Sequence, residues 1–180
     1  MGFKIACAAV PIEQAEDVIQ KLDLKMTSQE DEYNECDYSG GEVANGYFVI
    51  WKNTNDIDFT KKERAVFDNL NDCFIMAVSE TVMSGFVCKV SDSKIDWQIT
   101  YIGCESEIEL ETKGVIPEHI LELYETLEKK KTDEGGDETY EILSLTFQHY
   151  TGHKYDHEHD FKFSELQVLK GRKSWWEFWK

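Results

Sequence analysis

Two periodicities of apolar residues run along this chain, and they predict its first elements. Residues 3–10 form a short apolar run with β character that ends at Pro11. Residues 12–24 then place apolar side chains three or four positions apart, which is the spacing of one helix face. The chain therefore begins as a strand followed by an amphipathic helix.

The segments that follow alternate between turn signals and strand-like runs. Residues 28–46 are polar, acidic and rich in turn formers, and they lead directly into the apolar run 47–51. Further apolar or alternating runs predict strands over residues 73–82, 83–90, 95–102 and 106–110, and residues 161–169 are a last candidate strand. Short connections between these runs favour antiparallel hairpins, and their alternation predicts a sheet with one solvated side.

Helical spacing returns in three places between these strands. Thr60 has Glu63 three positions later, which is a capping-box pattern and predicts a helix within residues 59–70. Apolar residues three or four apart predict two more helices, over residues 117–131 and 140–150.

Together these elements predict an α+β fold. We expect a single domain over residues 1–170, with a five- or six-stranded, mainly antiparallel sheet and helices packed on one face. Residues 171–180 form a separate aromatic and basic C-terminal tail.

Charge and composition narrow the possible partners. The chain has 180 residues, a formal net charge of −17, and 13% aromatic residues. That aromatic content argues against a disordered acidic tail. The negative charge argues against direct binding to nucleic acid or to an anionic membrane, because both carry negative charge themselves. The N-terminal apolar run of about eight residues is too short for a signal peptide or a membrane span, so we expect a cytoplasmic protein without a membrane span.

No motif in the chain predicts catalysis or a cofactor. The five cysteines include no CxxC pair, and they are interpreted as free, buried thiols in a reducing compartment. Residues 79–84 hold serine and glutamate but no GxSxG, so Glu80 is interpreted as an outward-pointing strand residue or a partner contact. We therefore expect no cofactor and favour a protein that is not an enzyme.

The acidic residues are most concentrated over residues 104–142, which hold 13 acidic and 4 basic residues. Such a field accelerates association with a basic partner, although a solvated acidic face is the simpler alternative. The predicted partner-binding residues in this region are Glu105, Glu107, Glu109, Glu111, Asp133, Glu134, Asp137, Glu138 and Glu141.

The C-terminal tail adds a second candidate contact. Trp175, Trp176 and Trp179 stand among basic residues, and tryptophan is enriched where interfaces are tightest. The alternatives are packing of the tail onto the domain, self-association into a homo-oligomer, or contact with a membrane interface.

A cluster of histidines supplies the only metal hypothesis. Weak candidate ligands are His149, His153, His157 and His159. Imidazole and carboxylate groups together can hold zinc. His149 and His153 are four residues apart and would share a helix face, but Gly152 predicts that the helix ends between them. A polar loop is the alternative that we favour, so no metal is expected.

Several stretches taken together resemble a known group of proteins. They are Cys7 in the opening strand, residues 45–51, residues 79–83, Trp97, and residues 151–156. The set resembles a group of small acidic bacterial proteins for which no reaction is established, and the likeness spans about residues 3–169. In general character alone, the chain is also similar to bacterial immunity proteins, which neutralise toxins.

These observations favour a non-catalytic, acidic protein-binding protein. The leading hypothesis is an immunity protein that neutralises a basic toxin domain by steric occlusion, with a mimic of DNA as a variant. The alternatives are a structural or regulatory protein that self-associates, and a metal-assisted enzyme built on residues 149–160.

Overall fold

The computed structural model describes residues 2–54, 58–103, 108–134, 138–157 and 160–169. Within these ranges the strands are β1 (Lys4–Pro11), β2 (Leu24–Glu30), β3 (Tyr38–Glu42), β4 (Tyr47–Asn53), β5 (Cys73–Ser79), β6 (Ser84–Ser91), β7 (Lys94–Gly103), β8 (Ile108–Gly114) and β9 (Ser164–Val168). The α-helices are α1 (Ile12–Lys21), α2 (Lys61–Phe67), α3 (Glu118–Glu134) and α4 (Ile142–Thr151). Short 3-10 turns cover Ala44–Gly46, Glu80–Val82 and Glu138–Glu141.

The nine described strands form one antiparallel sheet in the order β2-β9-β3-β4-β1-β5-β6-β7-β8. The α+β class is confirmed, but the prediction of five or six strands is wrong. Two of the additional strands, β2 and β3, lie where the sequence predicts the end of a helix or a polar turn.

Backbone pairing, not an apolar pattern, makes β3 a strand. A Cβ atom on Gly40 would come within 2.7 Å of the Phe48 ring, and one on Gly41 would come within 2.4 Å of the Lys162 carbonyl oxygen. Glycine is therefore required where β3 passes between β4 and β9. A strand of this kind has no side-chain periodicity for sequence analysis to detect.

Helices cover both faces of the sheet. Ile5 and Cys7 of β1 belong to a core formed with α3 and α4, whereas Ala6 and Ala8 belong to a second core formed with α1 and α2. The prediction of helices on one face is therefore wrong. The physical reason is that β1 beyond Lys4 and all of β5 are buried, so each face of these strands must be covered.

The helix ends follow local sequence signals. The Thr60 hydroxyl accepts the N–H of Glu63 at 3.4 Å, and the Glu63 carboxylate accepts the N–H of Thr60 at 2.6 Å, which confirms the predicted capping box of α2. Helix α4 ends at Gly152, whose φ of 77° is favourable only for glycine and whose N–H donates to the Gln148 carbonyl at 2.7 Å.

Candidate functional site

The acidic residues predicted to contact a partner are distributed over several elements. Glu109 and Glu111 belong to β8 at one edge of the sheet, and Glu111 is exposed. Asp133 and Glu134 belong to the last turn of α3, and Glu138 begins a 3-10 turn. The predicted contacts that lie outside the described residues are Glu105, Glu107, Asp137, Trp175, Trp176 and Trp179.

The sheet separates the Glu111 side chain of β8 from helix α3. Leu110 pairs with Tyr101 and packs against the core that α3 and α4 cover. Glu111 is the next residue, pairs with Thr100, and so faces the opposite side of the sheet. The acidic region of the sequence thus becomes two surfaces in the fold.

Three glutamates in the first half of α3 form one exposed stripe. Ile120 and Leu127 are buried in the core, whereas Glu118, Glu122 and Glu125 are exposed. Their spacings of four and three residues place these glutamates on one helix face, which we call the α3 stripe. The first eleven residues of α3 contain four glutamates and no lysine or arginine, and the exposed Lys129 follows directly, four residues after Glu125 on the same face. Glu118 and Glu122 lie about two or more turns from that lysine.

An apolar side chain lies within the α3 stripe. Leu121 is 46% exposed. It stands three residues after Glu118 and four before Glu125, so both carboxylates flank it on the helix surface. Val115, just before the helix, is 86% exposed. The surface therefore combines negative charge with apolar side chains that a partner can cover.

A second candidate region is an aromatic and acidic cleft of about 480 Å³ on the face of the sheet that α4 covers. We call it the Trp51 cleft. Its walls include Phe3, Glu32, Tyr33, Trp51, Tyr155 and Asp156. Phe3 is 44% and Tyr33 is 75% exposed, so aromatic rings are accessible at its mouth.

Glu80 fixes two of the aromatic walls of this cleft. It lies in a 3-10 turn and not in a strand, and its carboxylate accepts the Phe3 N–H at 2.9 Å and the Tyr155 hydroxyl at 2.9 Å. Burial, and then the Glu80 carboxylate, raise the pKa of Tyr155 well above its ordinary range, so the hydroxyl remains a donor. The Phe3 ring meets Tyr155 edge to face at 5.5 Å and Trp51 at 6.4 Å.

A buried lysine lies behind the acidic rim. The Lys154 side chain is 7% exposed, and its Nζ lies 3.3 Å from the Asp156 carboxylate and 3.5 Å from that of Glu141. Glu141, a predicted partner contact, therefore has an ion pair within the fold. Asp156 is held in place at the cleft by the same ammonium group.

The histidines do not converge. The ring of exposed His149 stacks on that of His119 of α3, with centroids 4.4 Å apart, while His153 is buried against Trp51 and Phe163. His157 is exposed, and His159 lies outside the described residues. Within the described ranges, no three His, Cys, Asp or Glu side chains are grouped to hold a metal ion.

The sequence did not predict the Trp51 cleft. Trp51, Glu80 and Tyr155 belong to three separate stretches of the resemblance to small acidic bacterial proteins, and the fold brings them together. Phe3 and Tyr33 were missed, because no spacing in the sequence connects two aromatic residues on different strands and loops.

Comparison with known proteins adds no family assignment. No protein-family model, curated protein or solved structure matches this chain. In the part of the chain that the structure describes, no helix is long and apolar enough to cross a membrane. The function must therefore be argued from the surfaces themselves.

Proposed function

We propose that this protein is a non-catalytic binding protein that neutralises a basic protein partner, most concretely a bacterial toxin domain, by covering its active surface. The α3 stripe carries the proposal. Steering a basic partner requires a local excess of solvated negative charge. Glu118, Glu122 and Glu125 are exposed on one face of α3, and the one lysine within a turn of them is Lys129, so this part of the helix surface stays net negative.

Short-range contacts support the same role. Charge accelerates encounter but contributes less to affinity than apolar groups that become desolvated in the interface. Leu121, within the stripe, supplies such a group, and Val115 lies at its margin. An acidic surface with an exposed leucine suits a protein partner better than a small ion, which has no apolar surface to bury.

The proposed compartment is the cytoplasm. Cys7, Cys73 and Cys88 are buried, free thiols within the fold. Burial raises the pKa of the Cys7 thiol far above its ordinary range, which suppresses reaction. Unreactive thiols of this kind are compatible with a reducing compartment, where an inhibitor would meet a toxin before it acts.

The test is the rate of association with a basic partner, recovered by cross-linking in the native cell and then purified. We expect the association rate to fall by about 10-fold to 1000-fold as ionic strength rises from about 0.01 M to 1 M. A variant with Glu118, Glu122 and Glu125 changed to Gln should lose most of this acceleration.

A matched variant separates local steering from total charge. Changing Glu13 and Glu16 to Gln and Asp17 to Asn removes the same number of negative charges from exposed positions of α1, on the other face of the sheet. We expect this control to retain most of the acceleration. An association rate indifferent to salt, or equal losses in both variants, would overturn the proposal.

A further inference from the structure

We propose that the Trp51 cleft binds the guanidinium group of an arginine side chain presented by the partner. This inference rests on the proposed function for the source of the arginine, but the chemistry of the cleft supports it separately. Aromatic rings and carboxylates meet in one concave site, and this combination recognises an organic cation.

The charge of the cleft favours a cation. Glu32 and Asp156 line it, and the Glu80 carboxylate lies behind two of its walls. No lysine or arginine is among the described residues that line it. The Lys154 ammonium contacts Asp156 at the rim of the cleft, and it also pairs with Glu141. His157 is the remaining titratable residue, besides Tyr33 and Tyr155, in the described lining. The Glu32 and Asp156 carboxylates therefore face the cleft with one ammonium nearby, which Asp156 shares with Glu141.

The types of residue that line the cleft favour arginine over lysine. A guanidinium group is planar, stacks on aromatic faces and donates paired hydrogen bonds to a carboxylate, whereas an ammonium group is compact and strongly hydrated. Phe3 and Tyr33 offer accessible rings at the mouth. Glu32 and Asp156 line the same cleft, so a guanidinium group bound there would have both aromatic side chains and carboxylates among its neighbours.

Three of the aromatic walls are held in place before a ligand binds. Glu80 accepts hydrogen bonds from the Phe3 N–H and the Tyr155 hydroxyl. The indole N–H of Trp51 donates to the Asn53 side chain at 3.2 Å, which fixes its ring. Walls that are already held in place lose little conformational freedom when a ligand binds.

The test is an NMR titration of the isolated protein with N-acetyl-arginine amide, followed at the indole N–H signal of Trp51. N-acetyl-citrulline amide is the matched ligand, because it keeps the shape and loses the charge. We expect saturable shifts with arginine and binding at least about 10-fold weaker with citrulline or N-acetyl-lysine amide.

Variants of exposed residues locate the binding. Tyr33→Ala and Glu32→Gln should each weaken arginine binding several-fold, while Tyr33→Phe should retain it, since the ring persists. Glu13→Gln on α1 is the control for loss of one exposed charge elsewhere. Tyr33 is 75% exposed, so its truncation leaves the core intact, which circular dichroism verifies.

Three results would overturn the inference: no saturable shift with arginine, equal binding of arginine and citrulline, or wild-type affinity in both Tyr33→Ala and Glu32→Gln. The titration contains no partner protein, so its failure leaves the salt dependence of partner association standing as a separate result. Arginine binding without salt-dependent association would instead preserve the site and overturn the proposed function.

Discussion

A buried ion pair between β4 and α2 makes the sharpest prediction about stability. Lys52 Nζ lies 2.7 Å from Glu63 Oε2, and the two side chains are only 11% and 12% exposed. The Tyr38 hydroxyl donates to the other carboxylate oxygen of Glu63, and the Lys52 ammonium lies 5.5 Å from the centre of the Tyr38 ring. We predict that Glu63→Gln strongly lowers the free energy of unfolding, although the side chain keeps its size.

The neighbouring residue supplies a matched control. Lys62 Nζ lies 2.6 Å from Asp23 Oδ2, but these side chains are 75% and 60% exposed. Breaking a buried pair costs about 3–5 kcal/mol, because a charge remains buried without its partner, whereas an exposed pair is worth about 0.2–1 kcal/mol. Glutamine can still accept the Thr60 N–H, so we expect the lower figure, about 3 kcal/mol, for Glu63→Gln. Asp23→Asn should cost less than about 1 kcal/mol.

Urea unfolding at pH 7 measures both changes, with the free energy taken by linear extrapolation. The double variant Lys52→Met with Glu63→Gln should recover part of the loss, because it no longer buries an unpaired ammonium. Equal losses in Glu63→Gln and Asp23→Asn would refute the claim that burial determines the strength of this pair.

Acid titration of stability gives an independent measurement of the same pair. Burial alone would raise the pKa of Glu63, but the hydrogen bonds from Lys52, Thr60 and Tyr38 outweigh it and hold the pKa below its ordinary value of 4.5. The unfolded chain therefore takes up this proton first as pH falls. The stabilisation is complete above about pH 4.5 and is lost as pH falls through the lower folded-state pKa. The difference between wild type and Glu63→Gln should narrow in that range, and a difference independent of pH would contradict the assignment.

Three further predictions concern single positions. Tyr155→Phe removes the donor to Glu80 and should lower the free energy of unfolding by about 1–3 kcal/mol; an unchanged urea midpoint would contradict this. Burial and the neighbouring carboxylates raise the pKa of the Cys36 thiol to about 11. Its labelling by a disulfide reagent, followed by mass spectrometry, should therefore still accelerate about 10-fold for the pH unit from about pH 9 to 10, where a thiol of ordinary pKa is levelling off, and a rate that levels off near pH 9 would exclude the raised pKa. Gly114 has a φ of 78°, and an added Cβ would lie 2.0 Å from a backbone oxygen of β7. Gly114→Ala should therefore cost clearly more than Gly46→Ala, where φ is 81° but the space is open, and equal losses in thermal unfolding would show that the contact is relieved.

Local sequence signals predicted the positions of most of the described helices and strands, but not the strand order or the faces on which the helices pack. The capping box at Thr60 and the glycine stop at Gly152 were readable, because both act within one turn of chain. β2 was not readable, because it is an edge strand with one buried residue, Leu24, and a polar sequence. The continuous apolar runs of β1 and β5 indicate strands that are buried on both faces. The prediction of helices on one face did not use this signal.

The candidate sites divide in the same way. The amphipathic character of α3 follows from the spacing of its glutamates and apolar residues. The sequence alone therefore predicts which face of the helix is apolar and which is acidic. Whether those glutamates share a surface with Glu111 of β8 depends on which side chain of β8 points toward the face that α3 covers. The tertiary structure shows that Leu110 points toward that face, so Glu111 lies on the opposite side of the sheet from α3.

The sequence by itself determined the α+β class, the negative field and several helix and strand positions, because each depends on composition or on neighbours a few residues apart. The tertiary structure alone decided the nine-stranded order, the second helical layer and the Trp51 cleft. These features join residues as distant as Phe3, Glu80 and Tyr155. Such long-range contacts form because whole faces of the sheet and helices must be buried against one another, and a pattern of neighbouring residues does not show which faces meet.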